Sequence, residues 1–138
     1  MIVKKLIVPK VFQMKQFTKN PAILIVDDET DIRFLLSNIM KQKNVQPVFA
    51  SSLSEADNIM QSKGEFSCIF LDNYLPDGLG VNYIRQIKKR CPEAKVVMVT
   101  AHDNQADREK ATNEGADYFI GKPFSRELIL NTLERFAV

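Results

Sequence analysis

The chain has 138 residues, 45% hydrophobic and 26% charged, with a net charge of +2. This length suits one domain with a single core, and no apolar run approaches the roughly 18 residues that a membrane span needs. The charge is uneven: residues 1–20 carry five lysines and no acid, so +5 sits in the leader and the remainder is −3.

The leader reads as a basic N-terminal extension, residues 1–20, ahead of a domain at 21–138. Pro9-Lys10 cuts its apolar stretch Leu6-Ile7-Val8 to three residues, too short for a signal-peptide core. Val11, Phe12, Met14 and Phe17 form a short amphipathic pattern. An extension from an upstream start codon, a self-association arm and a docking arm for an acidic partner all remain open for it. Cys68 and Cys91 make neither a metal-ligand spacing nor a disulfide framework, which points to a reduced, cytoplasmic protein.

After the leader, strand and helix alternate five times. The first strand is Ile23–Val26. The first helix carries Ile32, Leu35, Leu36, Ile39 and Met40 at amphipathic spacing. A short strand at Val48–Ala50 precedes a capping box, with Ser52 on the amide of Glu55 and Glu55 reaching back. The second helix buries Leu53, Ala56, Ile59 and Met60, and Gly64 stops it. The third strand is Phe66–Leu71. Val81, Ile84 and Ile87 face inward on the third helix, which Cys91-Pro92 ends.

The fourth strand is Lys95–Val99. A weakly apolar helix follows at about Asn104–Asn113, with Ala106 and Ala111 as its small core candidates and Gly115 closing it. The fifth strand is Tyr118–Ile120, and the last helix starts near Ser125 and carries Leu128, Ile129, Leu133 and Phe136. Such alternation implies right-handed crossovers and a parallel sheet with helices on both faces. The first, third and fourth strands are nearly all apolar, as burial on both faces requires. The short second and fifth strands belong at the edges, which gives the order 2-1-3-4-5, flavodoxin-like, with five helices.

In that arrangement the strand ends meet at one carboxyl edge. Asp27-Asp28, Asp72, Thr100 and Lys122-Pro123 each follow an apolar run. Three carboxylates, a hydroxyl and an ammonium gathered there suit an aspartate that takes a phosphoryl group. Each element is ordinary alone: an acidic pair also favours a helix N-terminus, and a lone lysine is usually solvated. The set of five in order, with Leu75-Pro76-Asp77-Gly78 after Asp72, is specific.

From about Pro21 to Val138 the chain resembles the response-regulator receiver family, the CheY-like domains of two-component signalling. The resemblance implies that Asp72 is the phosphoacceptor, that Asp28 and Asp72 ligate Mg2+ directly (Mn2+ as an alternative), that Asp27 acts mostly through water and that the Tyr74 carbonyl is a further ligand. It implies that Lys122 pairs with the phosphoryl oxygens, that Thr100 donates its hydroxyl to one of them, and that the Lys122–Pro123 bond is cis. Phe119, three residues before Lys122, stands where the family places a mobile aromatic that responds to Thr100. A core aromatic on an edge strand is the plainer alternative. Tyr74 and His102 flank the mouth of the site, where they would shield an acyl phosphate from water.

The reading is a stand-alone, Mg2+-dependent receiver. Its phosphoryl group would come from a phosphohistidine on a sensor histidine kinase or a phosphotransfer protein. Output would pass through the helix 4–strand 5–helix 5 face to an unknown protein, or the domain would be a relay intermediate. A DNA-binding domain and a membrane span are not expected, and a dimer stays open. The rivals are a Mg2+-dependent aspartyl-phosphate phosphohydrolase, which usually shows Asp-x-Asp and a cap domain, and a degenerate receiver that only binds.

Overall fold

The computed structural model describes residues 22–136. The leader, and with it the readings of Val11, Phe12, Met14 and Phe17, lies outside the described residues. One sheet holds five parallel strands: β1 (Ile23–Val26), β2 (Val48–Ala50), β3 (Cys68–Leu71), β4 (Lys95–Thr100) and β5 (Tyr118–Gly121). Their order is β2-β1-β3-β4-β5, the order expected from which strands are most apolar. Five helices connect and close the sheet: α1 (Thr30–Lys41), α2 (Leu53–Lys63), α3 (Ile84–Arg90), α4 (Gln105–Glu114) and α5 (Arg126–Phe136). None of the described helices is long and apolar enough to cross a membrane.

Alternation along each strand divides the core into two layers. Leu24, Val26, Ile69, Leu71, Val96 and Met98 face α2, α3 and α4, where they meet Ala56, Met60, Ile84, Ile87 and Ala111. Ile23, Ile25, Cys68, Phe70, Val97 and Val99 face α1 and α5, against Leu36, Ile39, Met40, Ile129 and Leu133. Every residue of β1 and β3 is buried, whereas β2 and β5 are partly exposed. Phe119 packs on the first layer and neighbouring Tyr118 on the second.

Several local expectations change. Leu35 is 45% exposed, because the buried stripe of α1 runs through Leu36, Ile39 and Met40 and leaves Leu35 on its flank. Ala106 is exposed too, and Ala111 is the only buried residue of α4. Val81 is buried as expected but lies in a 3-10 turn, Gly80–Tyr83, so the α-helical part of the third crossover is short. Phe66 is buried ahead of β3 rather than within it.

The capping box forms by half. Ser52 accepts from the Glu55 amide at 3.1 Å, but the Glu55 carboxylate reaches to the amide and hydroxyl of Ser51, at 2.7 and 2.9 Å. A residue from elsewhere completes the helix start. Tyr74–Leu75 and Gly78–Leu79 form a small antiparallel ribbon, with Asp77 at its turn. Asp77 accepts from the amides of Leu53 and Ser54, both at 2.9 Å. These are amides of the first turn of α2, which no intrahelical carbonyl can satisfy. The two bonds hold the Asp77 carboxyl below its ordinary range.

Asp77→Ala should therefore cost about 1 kcal/mol of stability, the typical loss of a helix cap. Urea unfolding at neutral pH measures it. Because the Asp77 pKa is depressed, its contribution is present above the unfolded value and fades as pH falls, so the gap between wild type and variant should narrow in acid.

Candidate functional site

The sheet ladder continues past the strand ends and sets the site residues side by side. The Asp27 amide donates to the Ala50 carbonyl at 3.0 Å, the Asp72 amide to Val26 at 2.9 Å and the Lys122 amide to Thr100 at 2.8 Å. Parallel register thus carries the carboxyl ends of β1, β3 and β5 to one rim. Asp27 and Asp72 are buried there, 2% and 6% exposed, while Asp28 faces solvent.

Lys122 links the acids. Its ammonium donates to Asp27 Oδ2 at 3.0 Å and to Glu29 Oε1 at 3.1 Å, and lies 3.6 Å from Asp72 Oδ2. The Lys122–Pro123 peptide bond is cis. Asp27 Oδ1 also accepts from the Glu29 amide at 2.8 Å, and Asp72 Oδ1 from the Asn73 amide at 2.8 Å. Asp27, Asp28 and Asp72 each offer an oxygen within 4.8 Å of the others.

That geometry is electrostatically loaded. Burial, and then the neighbouring Asp27 charge, push the Asp72 carboxyl up to about 6 against the pull of Lys122. Burial also raises Asp27, even with Lys122 bound to it. Burial alone would lower Lys122, but its hydrogen bond to Asp27 and the charges of Asp72 and Asp27 turn the net shift upward. One ammonium under-compensates this acidic set, and hard carboxylate oxygens suit a cation such as Mg2+. The residues present fit such an ion.

The chain around Asp72 is close-fitting. Asn73 accepts twice from the following turn, through its carbonyl from the Gly80 amide at 2.8 Å and through Oδ1 from the Val81 amide at 2.9 Å. A Cβ at Gly80 would stand 2.3 Å from the Asp72 carbonyl oxygen, so the turn needs glycine. Thr100 is buried at the end of β4, and its hydroxyl accepts from the His102 amide at 3.4 Å. The Tyr74 and His102 rings meet at the mouth, centroids 4.3 Å apart. Phe119 lies farther out beside a small cavity that Asn73, Met98 and Ala111 also line.

Asp27, Asp28, Asp72 and Lys122 are therefore in one cluster, with Thr100, Tyr74 and His102 around it. Glu29, Asn73 and Gly80 escaped the reading of the sequence. Glu29 had a signal, an acid directly after Asp27-Asp28. Its partner lies 93 residues away, and no local pattern reports that contact.

Residues 23–134 match the family described as "Response regulator receiver domain". The phosphate regulon transcriptional regulatory protein PhoB of Escherichia coli (strain K12) is 36% identical over 110 residues, which are 78% of this chain and 48% of that protein. This chain thus spans about half the length of that curated relative. Among solved structures, the beryllofluoride-activated NtrC4 receiver domain dimer superposes with a TM-score of 0.77 at 38% identity, covering 83% of this chain and 93% of that one. The receiver domain of NtrX from Brucella abortus does so with a TM-score of 0.75 at 33% identity, covering 82% and 95%. Fold, acidic rim and these likenesses agree, and the chain belongs to the response-regulator receiver domain family of two-component signalling.

Proposed function

We propose that Asp72 accepts a phosphoryl group from a phosphohistidine on a sensor histidine kinase or phosphotransfer protein. The observation that carries this is a buried carboxylate at a strand end, with two further carboxylates within 4.8 Å and one ammonium at 3.6 Å. In the step, an Asp72 oxygen bonds to phosphorus while the bond from phosphorus to the imidazole nitrogen breaks. The imidazole keeps the electron pair.

Asp27, Asp28, Asp72 and the Tyr74 carbonyl would hold Mg2+, or Mn2+ in its place. When bound, the cation supplies the positive charge that lets an anionic carboxylate meet an anionic phosphoryl group. Lys122, held at rest by Asp27 and Glu29, is within one side-chain adjustment of a group on Asp72. It would pair with a phosphoryl oxygen, and the Thr100 hydroxyl would donate to another. Such charge-assisted bonds are about twice as strong as neutral ones. Tyr74 and His102 narrow the mouth and would limit the approach of water.

Movement of Thr100 would open space toward Phe119 and alter the face formed by α4, β5 and α5. We assign output to that face, through protein contacts with a partner or with a second copy of the chain.

Incubation with Mg2+ and acetyl phosphate, followed by intact mass, tests the reading. One phosphoryl group per chain, decaying slowly, is the expected result. Turnover of the donor without that species would identify a phosphohydrolase, and no reaction a binding module. Asp72→Asn should abolish the mass increase. Unchanged stoichiometry in that variant would place the acceptor elsewhere.

A second prediction concerns pH. The Asp72 pKa is raised on folding, so the folded state binds the proton more tightly than the unfolded chain. The associated stability is complete below the unfolded value near 4 and is lost as pH rises through about 6. In EDTA, Asp72→Asn should be more stable than wild type by on the order of 2 kcal/mol at pH 7 and nearly equal to it at pH 4. Urea unfolding at both values decides this, and an equal gap at both would exclude Asp72 as the group responsible.

A further inference from the structure

Outside the rim, three residues with no part in the chemistry above, Asp103, Arg108 and Gly121, gather beside Phe119. Arg108, on α4, makes a forked ion pair with Asp103 of the β4–α4 loop, Nε to Oδ1 at 2.6 Å and a terminal nitrogen to Oδ2 at 3.1 Å. The same guanidinium lies over the Phe119 ring, 4.8 Å from its centroid. The Asp103 carboxylate in turn stands directly above Gly121, where an added Cβ would come within 2.5 Å of Oδ2. Asp103 is three residues after Thr100, and Gly121 is the residue before Lys122. One fork therefore ties the loop after Thr100, helix α4, the Phe119 ring and the approach to Lys122.

Helix α4 brings little apolar surface to the core. Ala111 is the only buried residue of α4, and Phe119 is half-buried beside a small cavity that Met98 and Ala111 also line. Sparse apolar contact marks segments of low local stability, so a single fork has leverage here.

We propose that Asp103 and Arg108 are positioning residues for the phosphoryl site: their clasp holds Phe119 and α4 in the resting arrangement and so lowers the affinity of the Asp72 site for a phosphoryl group. This rests on the phosphoacceptor reading and extends it. A contact made in one arrangement and lost in the other biases the equilibrium toward the first. By reciprocity, whatever favours the resting arrangement weakens binding of the group that favours the other. A ring that turns inward leaves the guanidinium, and a Thr100 that moves toward Asp72 draws the Asp103 loop with it.

The direction of the effect separates this from plain electrostatics. Removing a cation near an anion site ordinarily weakens anion binding. Removing Arg108 should strengthen it.

The test is a beryllofluoride titration at fixed Mg2+, followed by amide shifts of β5 and α4. In Arg108→Ala the midpoint should fall about fivefold, the lower end of typical coupling. Asp103→Ala, which frees the guanidinium without removing it, should give a gain in the same direction. Arg85→Ala serves as the control. It breaks another surface ion pair that anchors α4, to Glu114 at 2.9 Å; its midpoint should stay at the wild-type value. In a Phe119→Leu background the Arg108→Ala gain should disappear. An unchanged or raised midpoint in Arg108→Ala, an equal gain in Arg85→Ala, or a gain that persists without Phe119 would each overturn the clasp. Saturable binding in wild type during those failures would leave the phosphoacceptor reading standing. A wild type that takes up no beryllofluoride would overturn both.

Discussion

Two buried carboxylates sharing one ammonium is the arrangement on which the rest of this domain depends. Asp27 and Asp72 are carried below the surface by strands that have no choice of direction. Ionised carboxylates there are costly unless paired. Lys122 pairs with both, at 3.0 and 3.6 Å, and reaches to Glu29 as well. One positive charge against this set leaves a deficit. The three carboxylates make an acidic cluster of the kind typical of a receiver metal site, and burial with the Asp27 charge pushes the Asp72 carboxyl up to about 6.

Precision at the rim comes from the backbone. Ladder hydrogen bonds place Asp27, Asp72 and Lys122 at the ends of β1, β3 and β5, so the side chains start from fixed points. The turn after Asp72 is pinned by Asn73 and by the glycine at 80, and its tip is pinned by Asp77 on the first turn of α2. This is positioning on a rigid scaffold, as phosphoryl transfer needs. The opposite side differs in kind. Helix α4 brings one buried alanine to the core and otherwise relies on surface ion pairs, each worth little alone. A rigid rim on one side and a lightly held helix on the other is a physical basis for converting occupancy into a change of surface.

The fold was largely legible in the chain because its determinants are local. Runs such as Ile23–Val26 and Val96–Val99 are too apolar for one-sided burial, and the alternation with amphipathic helices leaves few topologies. The order of the sheet followed from which strands were short and half polar. The errors lay where exposure is set by neighbours. Leu35 and Ala106 carry the right residue type at a helical spacing, yet no partner layer reaches them. The Glu55 carboxylate accepts from Ser51 rather than from the Ser52 amide, a partner that the capping pattern does not specify.

The candidate site divides in the same way. The chain alone determined which residues end the strands, and so brought Asp27, Asp28, Asp72, Thr100 and Lys122 to one edge, because a parallel sheet sends every carboxyl end the same way. Only the tertiary structure decided the pairings: Lys122 with Glu29, Asp77 with α2, Arg108 with Asp103 and Phe119. Lys122 with Glu29 and Asp77 with α2 join segments far apart in sequence, where side-chain reach and packing, rather than any periodicity, select the partner. Arg108 with Asp103 is local, yet the stacking on Phe119 that gives the fork its leverage depends on how α4 lies across β5.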